Sequence, residues 1–290
     1  MATDLDATIR RLEDVPVFFV GGLPRSGTTW VQQMLNAHPQ VLCVGESHFF
    51  NDLMAGIGRA VLDYTSRRAS GVGTWAPSAV GPDRARMLPV VRTAFASLAS
   101  ANLGDHDVER LVVIGEKTPD NVYQLHRIWA VFPQAKFIHV IRDVRDACVS
   151  AYIRFRAKLP ADMDRPTYIG FYARDWMSRI TSAREQAEGQ DYLELRYEDL
   201  QLDTEAQMVR VFGFLGADVG SGVVADAVRV ASFEALSGGR RRGEEDRQSH
   251  YRRGEVGGWR DELTVEEVAL FEDIAGPMMR TLGYQTETAA

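Results

Sequence analysis

Val15-Pro16-Val17-Phe18-Phe19-Val20-Gly21-Gly22 runs straight into Leu23-Pro24-Arg25-Ser26-Gly27-Thr28-Thr29-Trp30. The first stretch is short, apolar, rich in β-branched and aromatic residues, and closes on glycines. It predicts a buried parallel strand. Thr28 to Ala37 then places Trp30, Val31, Met34 and Leu35 at helical spacing. His38-Pro39 ends that helix, because the residue before a proline avoids the α region. A strand, a glycine turn and a helix start together present backbone amides to an anion. Gly22 to Thr29 almost fits the nucleotide phosphate loop GxxxxGKS/T, with Thr28 where the lysine would stand and Arg25 two positions before Gly27. The hydroxyls of Thr28 and Thr29 add donors, and Arg25 offers a forked cation to the group being transferred. The loop alone implies an anion on a helix start and no more.

Working outward, Val41–Val44 is a second candidate strand, with a helix expected over 47–63. Further strands are expected at 111–114, at Lys136–Ile141 and at 192–195, and a helix over 121–131. Another helix runs from Arg142-Asp143 to about Arg154, and 204–215 and 264–282 read as amphipathic helices. Strands alternating with helices predict an α/β fold: a P-loop-like three-layer architecture, a central parallel sheet flanked by helices, in a single domain over 1–290. Residues 66–82, rich in Gly, Ser and Pro and holding Trp75, read as a long polar connection, either a lid or a plain surface loop. Residues 238–253, rich in Gly and Arg, read as a flexible loop. There is no internal repeat.

Composition excludes several classes. The chain has 290 residues, 45 % hydrophobic and 25 % charged, with a net charge of −7. That acidity argues against general nucleic-acid binding, which wants a basic footprint. Cys43 and Cys148 lie in apolar runs and read as buried thiols, not as a disulfide or zinc site. Residues 1–14 carry no apolar core of a secretory signal, and no stretch reaches the ~18 apolar residues of a membrane span. A soluble, cytoplasmic protein is the expectation. Lysines are scarce (Lys117, Lys136 and Lys158), which draws attention to Lys117 in Gly115-Glu116-Lys117-Thr118-Pro119.

Several segments carry a family resemblance. PRSGTTW, Pro24 to Trp30, resembles the 5′-phosphosulfate loop of sulfotransferases that use 3′-phosphoadenosine 5′-phosphosulfate (PAPS). KFIHVIRDVRDACVSAY, Lys136 to Tyr152, is similar to that family's 3′-phosphate element, in which an arginine leaves a strand and a serine follows eight residues on, as Arg142 and Ser150 do. RYEDL, Arg196 to Leu200, resembles the segment whose tyrosine, here Tyr197, lies near the adenine. YRRGEVGGWRDELT, from Tyr251 to Thr264, is similar to the C-terminal element of cytosolic sulfotransferases. The resemblance implies 3′-phosphate contacts from Arg252, Arg253 and Gly254. It implies 5′-phosphosulfate contacts from Arg25, Ser26, Gly27, Thr28 and Thr29, and places Trp30 beside the base. Arg241-Arg242-Gly243 is a competing copy of the basic element, lacking the Gly-Trp spacing that follows the second. Without its partner motifs, Arg142 would read as one half of a surface pair with Asp143 or Asp146.

Sulfuryl transfer needs an acceptor oxygen in line with the leaving phosphate, charge stabilisation on the moving oxygens, and a base. Glu46, after the second strand, is the candidate base. The run from Pro24 to Glu46 resembles that of tyrosylprotein sulfotransferases, which places a catalytic glutamate at this separation. Helix-terminal capping is its structural alternative, and His48 is the rival base. Lys117 is the candidate for steadying the leaving group, or else a solvated turn residue. No metal is expected. The expected acceptor is a small-molecule hydroxyl, since the front of the chain resembles the tyrosylprotein and carbohydrate types and its C-terminal element the cytosolic type. A P-loop kinase and a non-catalytic nucleotide-binding protein on the same fold are the rival readings.

Overall fold

The computed structural model describes residues 4–69, 82–246, 249 and 253–286. Five strands form one wholly parallel sheet: β1 (Val17–Gly22), β2 (Val41–Val44), β3 (Val113–Lys117), β4 (Lys136–Ile141) and β5 (Tyr192–Arg196). Their order is β2-β3-β1-β4-β5, so β1, which feeds the glycine loop, is central. The α-helices are α1 (Leu5–Glu13), α2 (Thr28–Asn36), α3 (Met54–Ala69), α4 (Arg84–Ser100), α5 (Leu125–Val131) and α6 (Val144–Phe155), followed by α7 (Arg165–Gln186), α8 (Tyr197–Leu202), α9 (Thr204–Leu215), α10 (Ser221–Val230), α11 (Phe233–Ser237) and α12 (Val265–Thr281).

Strand alternation builds the layers. Phe18 and Val20 of β1 face one way with Val113, Ile138, Val140 and Leu195. They pack on Val31 and Met34 of α2 and on Met208 and Phe212 of α9. Phe19 faces the other way with Leu42, Ile114 and Phe137, against Phe95 of α4 and Ile128 of α5. A further cluster joins Val144 and Ala147 of α6 to Tyr172, Trp176 and Ile180 of α7 and Phe271 and Met279 of α12. The three-layer α/β architecture expected from the sequence is therefore present.

Several boundaries differ. β3 begins and ends later than expected, at Val113 and Lys117, so Lys117 is the last strand residue and not a turn residue. The polar triplet Gly115-Glu116-Lys117 stays extended because β1 pairs with it on one side and β2 pairs along Gly115 and Glu116 on the other. The helix expected over 121–131 divides into a 3-10 turn, Pro119–Tyr123, and α5. The helix expected over 47–63 begins at Met54, after a π-turn at Phe49–Leu53, and continues to Ala69. Most of the polar connection, 70–81 with Trp75, lies outside the described residues. Helices α1, α4, α7 and α10 were not anticipated.

His139 on β4 is 1 % exposed, and its Nδ1 lies 2.6 Å from the Tyr192 hydroxyl. Burial lowers its pKa to about 4, outweighing the nearby Glu194 carboxylate. The unfolded chain takes up this proton near pH 6.5, whereas the folded one resists until about 4. Stability from His139 is thus complete above about pH 6.5 and drains away as pH falls towards 4, by at most about 3 kcal/mol. Urea unfolding of the wild type and of His139→Gln at neutral pH and near pH 4.5 checks this. The wild type is expected to lose about 2 kcal/mol more than the variant over that interval. Equal losses would remove His139 from the acid sensitivity.

Candidate active site

The carboxyl ends of all five strands open on one cavity of about 410 Å³. This is where open α/β sheets bind ligands, and the volume suits a small-molecule site. β1 delivers Pro24, Arg25, Gly27 and Thr28, β2 delivers Glu46 and His48, and β4 and β5 deliver Arg142 and Tyr197, all of which line the cavity. β3 ends on Lys117, whose ammonium donates to Glu46 Oε1 at 2.6 Å and to Thr29 Oγ1 at 3.1 Å. The Lys117 side chain is 3 % exposed and that of Glu46 45 %. The pair therefore has a buried, fixed end and an open carboxylate end. Lys117 is not a solvated turn residue.

Gly27 caps α2 at φ 94, and no side chain caps the helix. A Cβ at Gly27 would stand 2.5 Å from the Tyr197 ring, so this turn admits only glycine without a shift of Tyr197. The Trp30 amide turns back to the Gly27 carbonyl at 3.0 Å, and the helix start presents the Thr28 and Thr29 amides to an anion. Arg25 also holds a positive φ, 71°, uncommon for a side-chain-bearing residue. Its Nε donates to Ser150 Oγ at 3.1 Å, and its carbonyl accepts from Arg142 Nη1 at 3.3 Å. Tyr172 of α7 donates its hydroxyl to the Pro24 carbonyl.

Arg142 is largely enclosed, its side chain 12 % exposed, between the glycine loop and the C-terminal loop. Its Nη2 donates to the Glu255 carbonyl at 2.9 Å, its guanidinium lies 4.2 Å from the centre of the Tyr197 ring, and Asp146 stands 4.0 Å away. Burial works to lower its pKa, but Tyr197, Asp146, Glu198 and Asp143 outweigh that and raise it. Its Nε is buried with no hydrogen-bond partner among the described residues. An unpaired guanidinium nitrogen beside this cavity fits a phosphate ligand. The surface pair with Asp143 or Asp146 is thus replaced by a largely enclosed arginine with buried Asp146 at its back. Asp146 itself accepts from the backbone of Gly257 at 2.7 Å and of Trp259 at 2.9 Å, which fixes the C-terminal loop to α6.

At the other end of the cavity Trp30 and Tyr197 meet edge to face, 5.8 Å between centres. Trp30 is anchored by its indole N–H on the Ala231 carbonyl, at 2.8 Å, and Tyr197 by Gln201 at 2.7 Å. Both rings line the cavity with Phe233. Arg253 and Gly254 line it too, and a Cβ on Gly254, at φ 63, would lie 2.6 Å from the Phe233 ring.

The structure brings together Arg25, Gly27, Thr28, Thr29, Trp30, Glu46, Arg142, Ser150, Tyr197, Arg253 and Gly254 around the cavity, with Lys117 behind Thr29 and Glu46. Ser26 departs from that set. It is fully buried, its amide donates to the Leu23 carbonyl, and its side chain faces a small separate void beside His139 and Arg179. Arg252 lies outside the described residues. Arg253 and Gly254 of the chosen basic copy line the cavity, and Arg242 of the other copy lines it too, 5.5 Å over Trp30. The two copies are held side by side, with the Gly243 amide donating to the Arg253 carbonyl at 2.9 Å.

Sequence reasoning missed Arg154 and Phe155, which line the mouth, and Arg179 of α7. Arg179 is buried and reaches Asp120 at 2.9 Å, Asp175 at 3.0 Å and the Gly22 carbonyl at 3.4 Å. The apolar spacing of Ile169, Tyr172, Trp176, Ile180 and Ala183 would have revealed its helix. Among the described residues, no group of His, Cys, Asp or Glu is arranged to hold a metal ion, and no helix is long and apolar enough to cross a membrane.

This chain belongs to the sulfotransferase family, whose model, described as the sulfotransferase family, matches residues 16–220. Among curated proteins it is 28 % identical over 213 residues to protein-tyrosine sulfotransferase A of Caenorhabditis elegans, covering 69 % of this chain and 50 % of that protein. It is 30 % identical over 212 residues to protein-tyrosine sulfotransferase 1 of Danio rerio, with 70 % and 54 % covered. The chain spans about half the length of these relatives. Among solved structures, a mouse sulfotransferase complexed with PAP superposes with a TM-score of 0.55 at 17 % identity, over 95 % of this chain and 90 % of that one. A Mycobacterium avium sulfotransferase gives 0.53 at 17 % identity, over 98 % and 82 %. Both likenesses concern the fold.

Proposed function

We propose that this chain transfers a sulfuryl group from PAPS to the hydroxyl of a small acceptor, such as a phenol, a sugar or a secondary metabolite, and releases 3′,5′-adenosine bisphosphate (PAP). The observation that carries the reading is the Glu46–Lys117–Thr29 cluster at the start of an uncapped helix, in a cavity lined by five arginines within an acidic chain. A receptive helix start and forked cations suit a polyanion. A carboxylate held beside them supplies what a binding protein would not need.

Glu46 accepts the acceptor's proton as the acceptor oxygen bonds to sulfur. The bond from sulfur to the 5′-phosphate oxygen breaks on the opposite side. Arg25 and Lys117 offset the charge on the transferred and leaving oxygens. The open side of Glu46 lets its proton pass to solvent. Arg142, Ser150, Arg252, Arg253 and Gly254 hold the 3′-phosphate, with Arg242 added to that basic group. Gly27, Thr28 and Thr29 hold the 5′-phosphosulfate. Trp30 and Tyr197 flank the adenine. Ser26 supports the turn from within.

The test is incubation with PAPS and a panel of phenols, sugars, alcohols and a tyrosine peptide, read by mass spectrometry for the gain of one sulfate. Sulfation of a small molecule is the expected result. Preference for the peptide over every small molecule would overturn the acceptor class. PAP binding without transfer to any hydroxyl would overturn the enzymatic reading, and magnesium-dependent ATP turnover would overturn the donor.

A further inference from the structure

Glu116, the residue before Lys117 in β3, is fully buried. Strand alternation sends its side chain to the face opposite that of Lys117. Its Oε1 accepts from the Ser47 amide at 3.0 Å, from the Ser47 hydroxyl at 3.1 Å and from the Thr118 hydroxyl. Its Oε2 accepts from Asn121 Nδ2 at 2.8 Å. The contacts extend outward. The His48 amide donates to Thr118 Oγ1 at 3.2 Å, and Asn121 Nδ2 also reaches the Val20 carbonyl of β1 at 3.2 Å.

One carboxylate thus ties the exits of β2 and β3 to the turn at Pro119–Tyr123. The chain between Val44 and Phe49 belongs to no helix or strand, and His48 holds a left-handed φ of 52°. Regular hydrogen bonding therefore does not fix the Glu46 backbone, and the carboxylate gripping Ser47 holds the chain beside it. A buried carboxylate is costly unless its oxygens are satisfied. Here four donors meet it, three on one oxygen and the fourth on the other.

We propose that Glu116 is a positioning residue that acts through Glu46, holding the β2 exit so that the Glu46 carboxylate stands at the start of α2 against Lys117. This rests on the reading of Glu46 as the base. Burial raises the Glu116 pKa, and the donors from Thr118, Asn121 and Ser47 oppose that rise.

The experiment combines amide hydrogen exchange with kinetics on Glu116→Gln. A glutamine presents one acceptor oxygen and turns an N–H₂ towards donors. Exchange at the Ser47 and His48 amides is expected to quicken by about tenfold or more, with Phe18 to Val20 of β1 unchanged. kcat is expected to fall by about thirtyfold while PAP affinity stays within about twofold. Glu116→Gln added to Glu46→Gln is expected to cost no more than Glu46→Gln alone. Ser47→Ala, which removes one donor, is expected to move exchange and kcat the same way by about threefold, and it serves if Glu116→Gln fails to fold. Unchanged exchange in Ser47→Ala and Glu116→Gln, an intact kcat despite faster exchange, or full multiplication with Glu46→Gln would each overturn the proposal. If the wild type transfers nothing, or Glu46→Gln retains its rate, the functional reading fails instead, and the exchange result still decides whether Glu116 holds the loop.

Discussion

Arg25→Ala is expected to lower kcat by about two to three orders of magnitude, the usual cost of removing one preorganised donor from a developing oxyanion. PAP affinity is expected to change by no more than about threefold, because PAP lacks the group Arg25 is assigned to. The side chain also donates to Ser150, which the proposal assigns to the 3′-phosphate, and some ground-state weakening is expected from that contact. Arg25→Lys separates the two contributions: it keeps a charge but loses the fork, so most of the rate should remain missing. The backbone at φ 71 is as strained for alanine as for arginine, so thermal unfolding should move little. Wild-type kcat in Arg25→Ala would remove the residue from the chemistry.

Glu46→Gln is expected to cost a factor of about a hundred to ten thousand in kcat, the range for loss of a general base. PAP affinity should persist, because none of the groups assigned to the nucleotide is altered. The substitution also leaves the Lys117 ammonium, nearly buried, beside Thr29 and a neutral amide, with the partner carboxylate gone. An unpaired buried cation is destabilising, so a lower melting temperature should accompany the lost rate. Titration with PAP and melting curves, run beside single-turnover kinetics, distinguish lost proton transfer from a disturbed site. If His48→Ala proves the more damaging change, the base is His48, which lines the same cavity.

Much of the fold was legible because β1, β2 and β4 are almost wholly buried, mainly apolar runs, for which strand and sequence pattern agree. The glycine loop was legible for the same reason: Gly27 is required by its φ and by the ring of Tyr197. The end of β3 was not, because Glu116 and Lys117 are charged and a charged pair reads as solvated. Their burial depends on partners at Ser47, Asn121, Glu46 and Thr29, none of them near in sequence except Asn121. Helix α7 carried a readable apolar spacing and went unread, and Arg179 was lost with it. The choice of Arg252-Arg253 over Arg241-Arg242 rested on local spacing. It failed to include Arg242 because the proximity of the two segments is made by a backbone contact across the loop, which a motif does not encode.

The cavity is closed by pieces from both ends of the chain. The Arg25 side chain meets Ser150, Arg142 reaches the Glu255 carbonyl, and Trp30 is pinned by the Ala231 carbonyl 201 residues away. Asp146 holds Gly257 and Trp259 just before α12 packs on α7. During synthesis, the sheet and its glycine loop leave the ribosome well before the residues that complete the nucleotide end. The cation-lined cleft is therefore completed only once residues 255–259 have followed the sheet. Such long-range closures come late in folding, since loop entropy must be offset before they reward the chain. A nucleotide that binds this cleft would favour the closed arrangement by mass action.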